Sequence, residues 1–434
     1  MNKKVLIITY YWPPSGGAGV QRWLKFVKYL PEFGWEPVIY TPENPEFPVL
    51  DTTLEKDIPE GITILKTKVW EPYSFYKKFI GLKKEDKINA SFMSEKKKPK
   101  LTENISVWVR GNLFIPDARK YWIKPSVNHL SKYLQENPVD AIVSTGPPHS
   151  MHMIALGLKK KFNIPWLADF RDPWTQIDFY QDLKLSRCAD RTHRMLEKQV
   201  LKSADQVVVI SNGMRKGFNE FYQRDYEVIT NGFDGDDLPK QKVDQDKKFS
   251  IAHIGTLAKS RNPKSLWKAL KTLTNENEAF GKAMEIKLVG KVDFHVMESI
   301  NANGLGKYLR HIPYLSHDKV LEEQQRSAVL LLLINDTPNA KMILTGKVFE
   351  YLSAQRPIVC IGPEDGDAAN IIRETDCGVV AGFEDEELIR EEILKLFSSY
   401  SDEDAFQSGS NIEKYSRKNL TKDLGHLLDE MVGT

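Results

Sequence analysis

The chain has 434 residues, 41% apolar and 28% charged, a composition that suits a soluble protein of two or three domains. With 61 Lys and Arg against 59 Asp and Glu its net charge is +2, which excludes a chain built as a whole to bind nucleic acid or another polyanion. Three cysteines without paired spacing, Cys188, Cys360 and Cys377, exclude a disulfide framework and fit a reducing compartment, and no apolar run reaches the ~18 residues of a membrane span.

In chain order, short Val/Ile-rich runs, apolar on both faces, predict buried parallel strands at 4–9, 36–40, 62–65, 141–144, 166–169, 206–210 and 228–230. The apolar run inside the first is too short for a signal peptide despite Lys3 and Lys4, so the expected location is the cytoplasm. Helical patterns between the strands predict a doubly wound α/β domain over 1–236. Residues 77–124 carry 13 Lys and Arg against 5 Asp and Glu, together with Phe79, Phe92, Trp108, Phe114, Tyr121 and Trp122. Such a basic, aromatic insert, about 71–125, suits either an anionic membrane surface at the inner leaflet or a solvated loop.

The strand-to-helix turns hold the candidate chemistry, because ligands of open α/β sheets sit beyond the carboxyl ends of strands. The turn YYWPPSGGAGVQR carries Gly16, Gly17 and Gly19, which allow close approach of a ligand to backbone. It is not a dinucleotide fingerprint, since Arg22 stands where the third glycine would be. STGPPHSMH projects His149 at a helix start, placed to orient or deprotonate a hydroxyl, or simply to cap the helix. His152, three residues on, gives metal-pair spacing without a third ligand. DFRDPW delivers Asp169, Arg171 and Asp172 at a strand end, as a local salt bridge or as a site for acceptor hydroxyls. TNGFD marks a further turn after a strand.

A polar, aperiodic stretch, 237–249, reads as a linker. Strands resume at 250–254, 285–289, 311–314, 328–334, 357–361 and 378–380, with helices such as 263–274 and 318–327 between them, predicting a second α/β domain over 250–405. In GTLAKSRNP a strand ends at Gly255 and Thr256, and Arg261 precedes a helix opened by Pro263, a seat for a diphosphate. In TGKVFEYLSAQRPIV, Thr345, Gly346 and Lys347 stand at a helix start, where lysine opposes the helix dipole unless an anion is bound. Glu350, one turn on, can accept two hydrogen bonds from vicinal ribose hydroxyls. Leu420, Leu424, Leu427, Leu428 and Met431 predict a helical tail within 406–434.

Gly16-Gly17, GTLAKSRNP, TGKVFEYLSAQRPIV, TNGFD and DFRDPW together resemble the retaining glycosyltransferases of the GT-B fold, family 4, of the type that builds bacterial surface polysaccharides. The resemblance spans nearly the whole chain, in order. It implies two Rossmann-like domains facing across a cleft, with the C-terminal helix crossing back to the first. It implies a nucleotide-sugar donor on the second domain, a UDP-sugar being the commonest. Gly255, Thr256, Arg261, Thr345, Gly346 and Lys347 would surround the diphosphate, and Glu350 would hold the ribose. The first domain would take a glycan or lipid-linked acceptor at Asp169, Arg171 and Asp172, with the Gly16, Gly17 and Gly19 loop reaching the donor phosphates and His149 near the reacting hydroxyl. His149, Arg261 and Lys347 are thus the catalytic candidates, and neither a metal nor a cofactor is expected.

One departure concerns the sugar. Family members commonly carry two glutamates with seven residues between them, and the position eight before Glu350 is Met342. Two rival readings stand beside the transferase: a nucleotide-sugar 2-epimerase of the same fold, and a non-catalytic protein that binds membrane or polyanion through 77–124.

Overall fold

In the computed structural model the described residues are 2–45, 50–71, 101–239, 243–313, 315–400 and 409–433. Most of the Lys-rich piece of the insert, including Lys96, Lys97, Lys98 and Lys100, lies outside them. The chain divides into two compact units, Met1–Thr230 with Arg417–Thr434, and Asn231–Ser416.

The first unit is built on a parallel sheet of β1 (Lys3–Ile8), β2 (Trp35–Pro42), β3 (Thr63–Thr67), β4 (Ala141–Gly146), β5 (Trp166–Phe170), β6 (Gln206–Val209) and β7 (Glu227–Val228), in the order β3-β2-β1-β4-β5-β6-β7. Alternate residues of each strand enter opposite cores. Leu6, Ile8, Ile142 and Ala168 face one core with Met151 and Phe218, while Val5, Ile7, Val143 and Leu167 face another with Trp23 and Val27. That double burial is why the strands read as continuous apolar runs rather than as alternating ones. The tail helix Arg417–Val432 completes the second core with Leu420, Leu424 and Leu428, so the end of the chain is part of the first unit.

The second unit repeats the plan with β8 (Phe249–Ile254), β9 (Met284–Val289), β10 (Leu309–Ile312), β11 (Val329–Leu333), β12 (Ile358–Ile361) and β13 (Gly378–Ala381), in the order β10-β9-β8-β11-β12-β13. Here too the sheet is sandwiched, with Ile251, Leu331 and Val359 in one core and Ala252, Leu330 and Ile358 in the other. The expected linker 237–249 belongs to this unit. Asp246 within it accepts from Ser250 Oγ at 2.6 Å and from the buried Lys287, which also reaches Glu323 at 2.9 Å. Pro263 is the residue before the helix Lys264–Glu276 rather than its first member.

In each sheet the strand order reverses at the middle, between β1 and β4 and between β8 and β11. The turns leaving those strands line the crevice that a parallel sheet opens at its carboxyl edge.

Candidate functional site

In the second unit β8 is followed by Gly255, whose φ of 120° is open to glycine and strained for other residues. A Cβ there would lie 2.6 Å from Lys347 Nζ, so the glycine also makes room for the lysine. Lys347 is in the first turn of the helix Gly346–Ala354. Four residues on, the Tyr351 hydroxyl accepts from the Ile254 amide at 3.1 Å, which registers this helix against the end of β8. Lys347 Nζ stands 3.3 Å from His253 Nε2, and His253 Nδ1 is 3.0 Å from the Leu331 carbonyl. A carbonyl only accepts, so His253 carries its proton on Nδ1 and offers the Nε2 lone pair to the ammonium. Burial, and then Lys347, hold His253 well below its ordinary pKa, consistent with a neutral ring.

Lys347 is held down to about 8 by burial and then by Arg261, against a smaller upward pull from Glu350. Arg261 Nε donates to Asn335 Oδ1 and Nη1 to the Thr256 carbonyl at 3.4 Å, and burial lowers its pKa as well. Among the described residues neither cation has a carboxylate within ion-pair distance. The helix they flank has no acidic residue in its first turn, and Thr345, at its N-cap position, does not cap it. Thr345 Oγ1 is instead buried without a partner. Two cations, a free hydroxyl and unpaired helix amides therefore converge with no counter-charge in ion-pair range among the described residues.

Glu350 is partly buried one turn further in, and its Oε2 accepts from Gln324 Nε2 at 3.1 Å. Gln324 Oε1 is itself buried without a partner. Met342 closes a 3-10 turn, Ala340–Met342, in the loop after β11. That loop is tied to the Arg261 turn by the Asp336 amide, which donates to the Ser260 carbonyl at 3.1 Å. Beside Arg261 is a cavity of about 380 Å³, with Lys259, Asn262, His295, Asp336 and Phe383 in its wall.

In the first unit the expected acceptor residues are differently placed. Asp169 is fully buried. It accepts from Arg22 Nη2 at 2.8 Å, Trp23 Nε1 at 2.6 Å and Thr145 Oγ1 at 2.8 Å. Burial pushes its carboxyl upward, but Arg22 and these hydrogen bonds hold it below the ordinary value. It is a corner pin, not a carboxylate open to acceptor hydroxyls. Nor does Arg171 form the expected local salt bridge to it. Arg171 is buried, donating from Nη1 to the Gly19 carbonyl at 2.7 Å and from Nη2 to the Pro147 carbonyl. It thereby ties the glycine loop to the turn after β4. Asp172 is exposed, Gly16 is buried, and Gly17 is exposed with a φ of 98°.

His149 is only 8% exposed, not the open side chain expected. Its ring stacks on Trp174 with centroids 4.6 Å apart, and it does not cap the helix Ser150–Phe162 that follows. Burial drives it well below its ordinary pKa, so its role is that of a neutral imidazole. Sequence reasoning missed His253, Asn335, Gln324 and Arg22 as parts of these sites. The signal for His253 was its place in IAHIG, a histidine within an apolar strand two residues before the glycine.

Residues 98–232 match the family described as Glycosyl transferase 4-like domain. No curated protein matches the chain in sequence. Among solved structures, the chain is similar to sucrose-phosphate synthase from Thermosynechococcus elongatus, at 12% identity and TM-score 0.61, over 99% of both chains. It is similar to HepE of Anabaena at 12% identity and TM-score 0.61, over 99% of this chain and 100% of that one. It is also similar to TarM of S. aureus at 12% identity and TM-score 0.60, over the whole of both chains. The protein thus has the two-unit, parallel-sheet fold of the GT-B glycosyltransferases, with a glycosyl transferase 4-like match in its first unit.

Proposed function

We propose that the chain is a glycosyltransferase that moves a sugar from a nucleotide-sugar donor to a glycan or lipid-linked acceptor. The observation that carries this reading is the pair Arg261 and Lys347, set at a helix N-terminus beside Gly255 with no carboxylate in ion-pair range among the described residues. In a protein interior an unmatched pair of cations is costly. A diphosphate supplies the missing charge, and the same groups stabilise it as it leaves the sugar. The Thr345 hydroxyl and the amides of Gly346 and Lys347 join them, and Glu350, steadied by Gln324, takes the ribose hydroxyls. The chemistry needs neither a metal nor a cofactor. A retaining outcome, with attack on the face the diphosphate leaves, follows the family resemblance, as does a place in surface-polysaccharide synthesis.

HepE of Anabaena was solved in complex with UDP-glucose and TarM of S. aureus with UDP, which supports UDP as the carrier. The test is a thermal-shift panel of UDP, GDP, ADP and their sugars. One of them is expected to stabilise the protein by a few kcal/mol at ~100 times its Kd. No shift with any nucleotide would sink the reading.

An anionic membrane surface is a further proposed partner. Trp70, Trp108, Leu113 and Tyr121 are large and exposed, and Lys120 lies over the Tyr121 ring at 5.1 Å. Vesicles of anionic lipid should retain the protein and neutral vesicles should not. Equal retention on both, or on neither, would remove the membrane from the reading.

A further inference from the structure

Beneath His149 lies a buried chain of hydrogen bonds that begins on β5. Trp166 Nε1, which only donates, reaches Ser144 Oγ at 2.9 Å. Ser144 Oγ is 2.8 Å from His152 Nδ1. Ser144 and His152 are both fully buried, so the Ser144 hydroxyl proton has no solvent to turn to. The acceptor within its reach is His152 Nδ1. The alternative, a proton on Nδ1, would leave the serine holding two incoming donors and its own proton unmatched. His152 therefore carries its proton on Nε2.

That nitrogen and His149 Nδ1 are both buried without a partner, and both face Gly146. A Cβ on Gly146 would stand 2.6 Å from His152 Nε2 and 3.2 Å from His149 Nδ1. A donor on one ring thus looks across the glycine at the neighbouring ring, whose centroid is 5.8 Å away. Neither ring accepts a charge readily. Burial, and then the neighbouring His152 and Arg171, hold His149 well down. Burial and Arg171, against Asp169, hold His152 at about 3.

We propose that His152 is a positioning residue that sets the tautomer of His149. Facing a donor across one bridging water, His149 Nδ1 serves as the acceptor and the His149 proton stays on Nε2. Nε2 is then an N–H at the exposed edge of the ring, held in place by the stack on Trp174. In the transferase reading, on which this inference rests for its function, that N–H donates to an oxygen of the sugar or of the acceptor rather than taking a proton from it. Gly146 is required because a side chain would separate the two rings.

The test is nitrogen NMR on full-length protein labelled with 15N-histidine, with His149 assigned by difference against His149→Gln. Wild type is expected to show His149 with its proton on Nε2. His152→Phe keeps the bulk and removes the donor. It should move the His149 proton partly to Nδ1 and lower kcat roughly tenfold with KM for the donor unchanged, the loss of about one hydrogen bond. His152→Gln, which restores an N–H, should recover both. If His152→Phe does not fold, Ser144→Ala removes the group that fixes the His152 tautomer and should shift His149 in the same direction. A wild-type His149 protonated on Nδ1, or a tautomer unmoved by these variants, overturns the proposal. The NMR readout needs no turnover, so it stands apart from a failure of the transferase reading, which would appear as no activity with the tautomer as expected.

Discussion

Asp169 in the first unit and Lys347 in the second both belong to the carboxyl edge of a parallel sheet, yet their charges are handled in opposite ways. Asp169 meets Arg22, Trp23 and Thr145 and has no capacity left for a ligand. Lys347 meets a neutral histidine and a second cation. A charge matched inside its own unit is structural, however suggestive its place at a strand end. A charge left unmatched in partial burial implies a counter-ion from outside the chain. Sequence spacing did not distinguish the two, because DFRDPW and TGKVFE each set charged side chains at a turn, and neither shows which charges meet a partner from elsewhere in the chain.

The contrast breaks most visibly in stability. Asp169→Ala takes from the buried Arg22 the carboxylate that neutralises it, which should cost about 3–5 kcal/mol. That is a fall in Tm on the order of 10 °C by calorimetry. Lys347→Met should leave the ligand-free Tm within about 2 °C or raise it, since it removes a charge the fold does not neutralise. Equal losses in both variants would erase the distinction.

A smaller effect is expected at Glu350. Glu350→Gln should weaken a ribonucleoside diphosphate by about 10–100-fold, the range for hydrogen bonds to a charged group. The 2′-deoxy analogue, which offers one hydroxyl fewer, should lose less. The same loss for both ligands would place Glu350 away from the ribose.

The smallest effect is on pH. The Lys347 pKa is depressed to about 8 in the free protein, and a bound diphosphate favours the charged form and raises it. Binding is therefore at full strength below about 8 and weakens as pH rises through that value. Dissociation constants at pH 7, 8 and 9 should show the decline for a nucleoside diphosphate. A flat profile would mean that Lys347 does not touch it.

The strand positions were legible because buried parallel strands write themselves as short apolar runs, as β1, β6 and β11 do. The grouping of Thr345, Gly346, Lys347 and Glu350 was also legible, since they lie within six residues of one helix start. The first-unit residues were not, for a physical reason. Asp169 takes its main partner, Arg22, from 147 residues away, and no local spacing reports that pairing. His149 was misjudged in the same manner, because its burial comes from Trp174 on a different turn. His253 went unnoticed because a histidine in an apolar strand reads as core until its neighbour is known to be a lysine.

The most direct measurement is a calorimetric titration of wild type and Lys347→Met with the nucleoside diphosphate that shifts the wild type most, and with its bare nucleoside. The diphosphate should bind Lys347→Met about 10–100-fold more weakly, while the nucleoside binds both proteins alike. Unchanged affinity for the diphosphate would contradict the view that the unmatched cations of the second unit are a phosphate site.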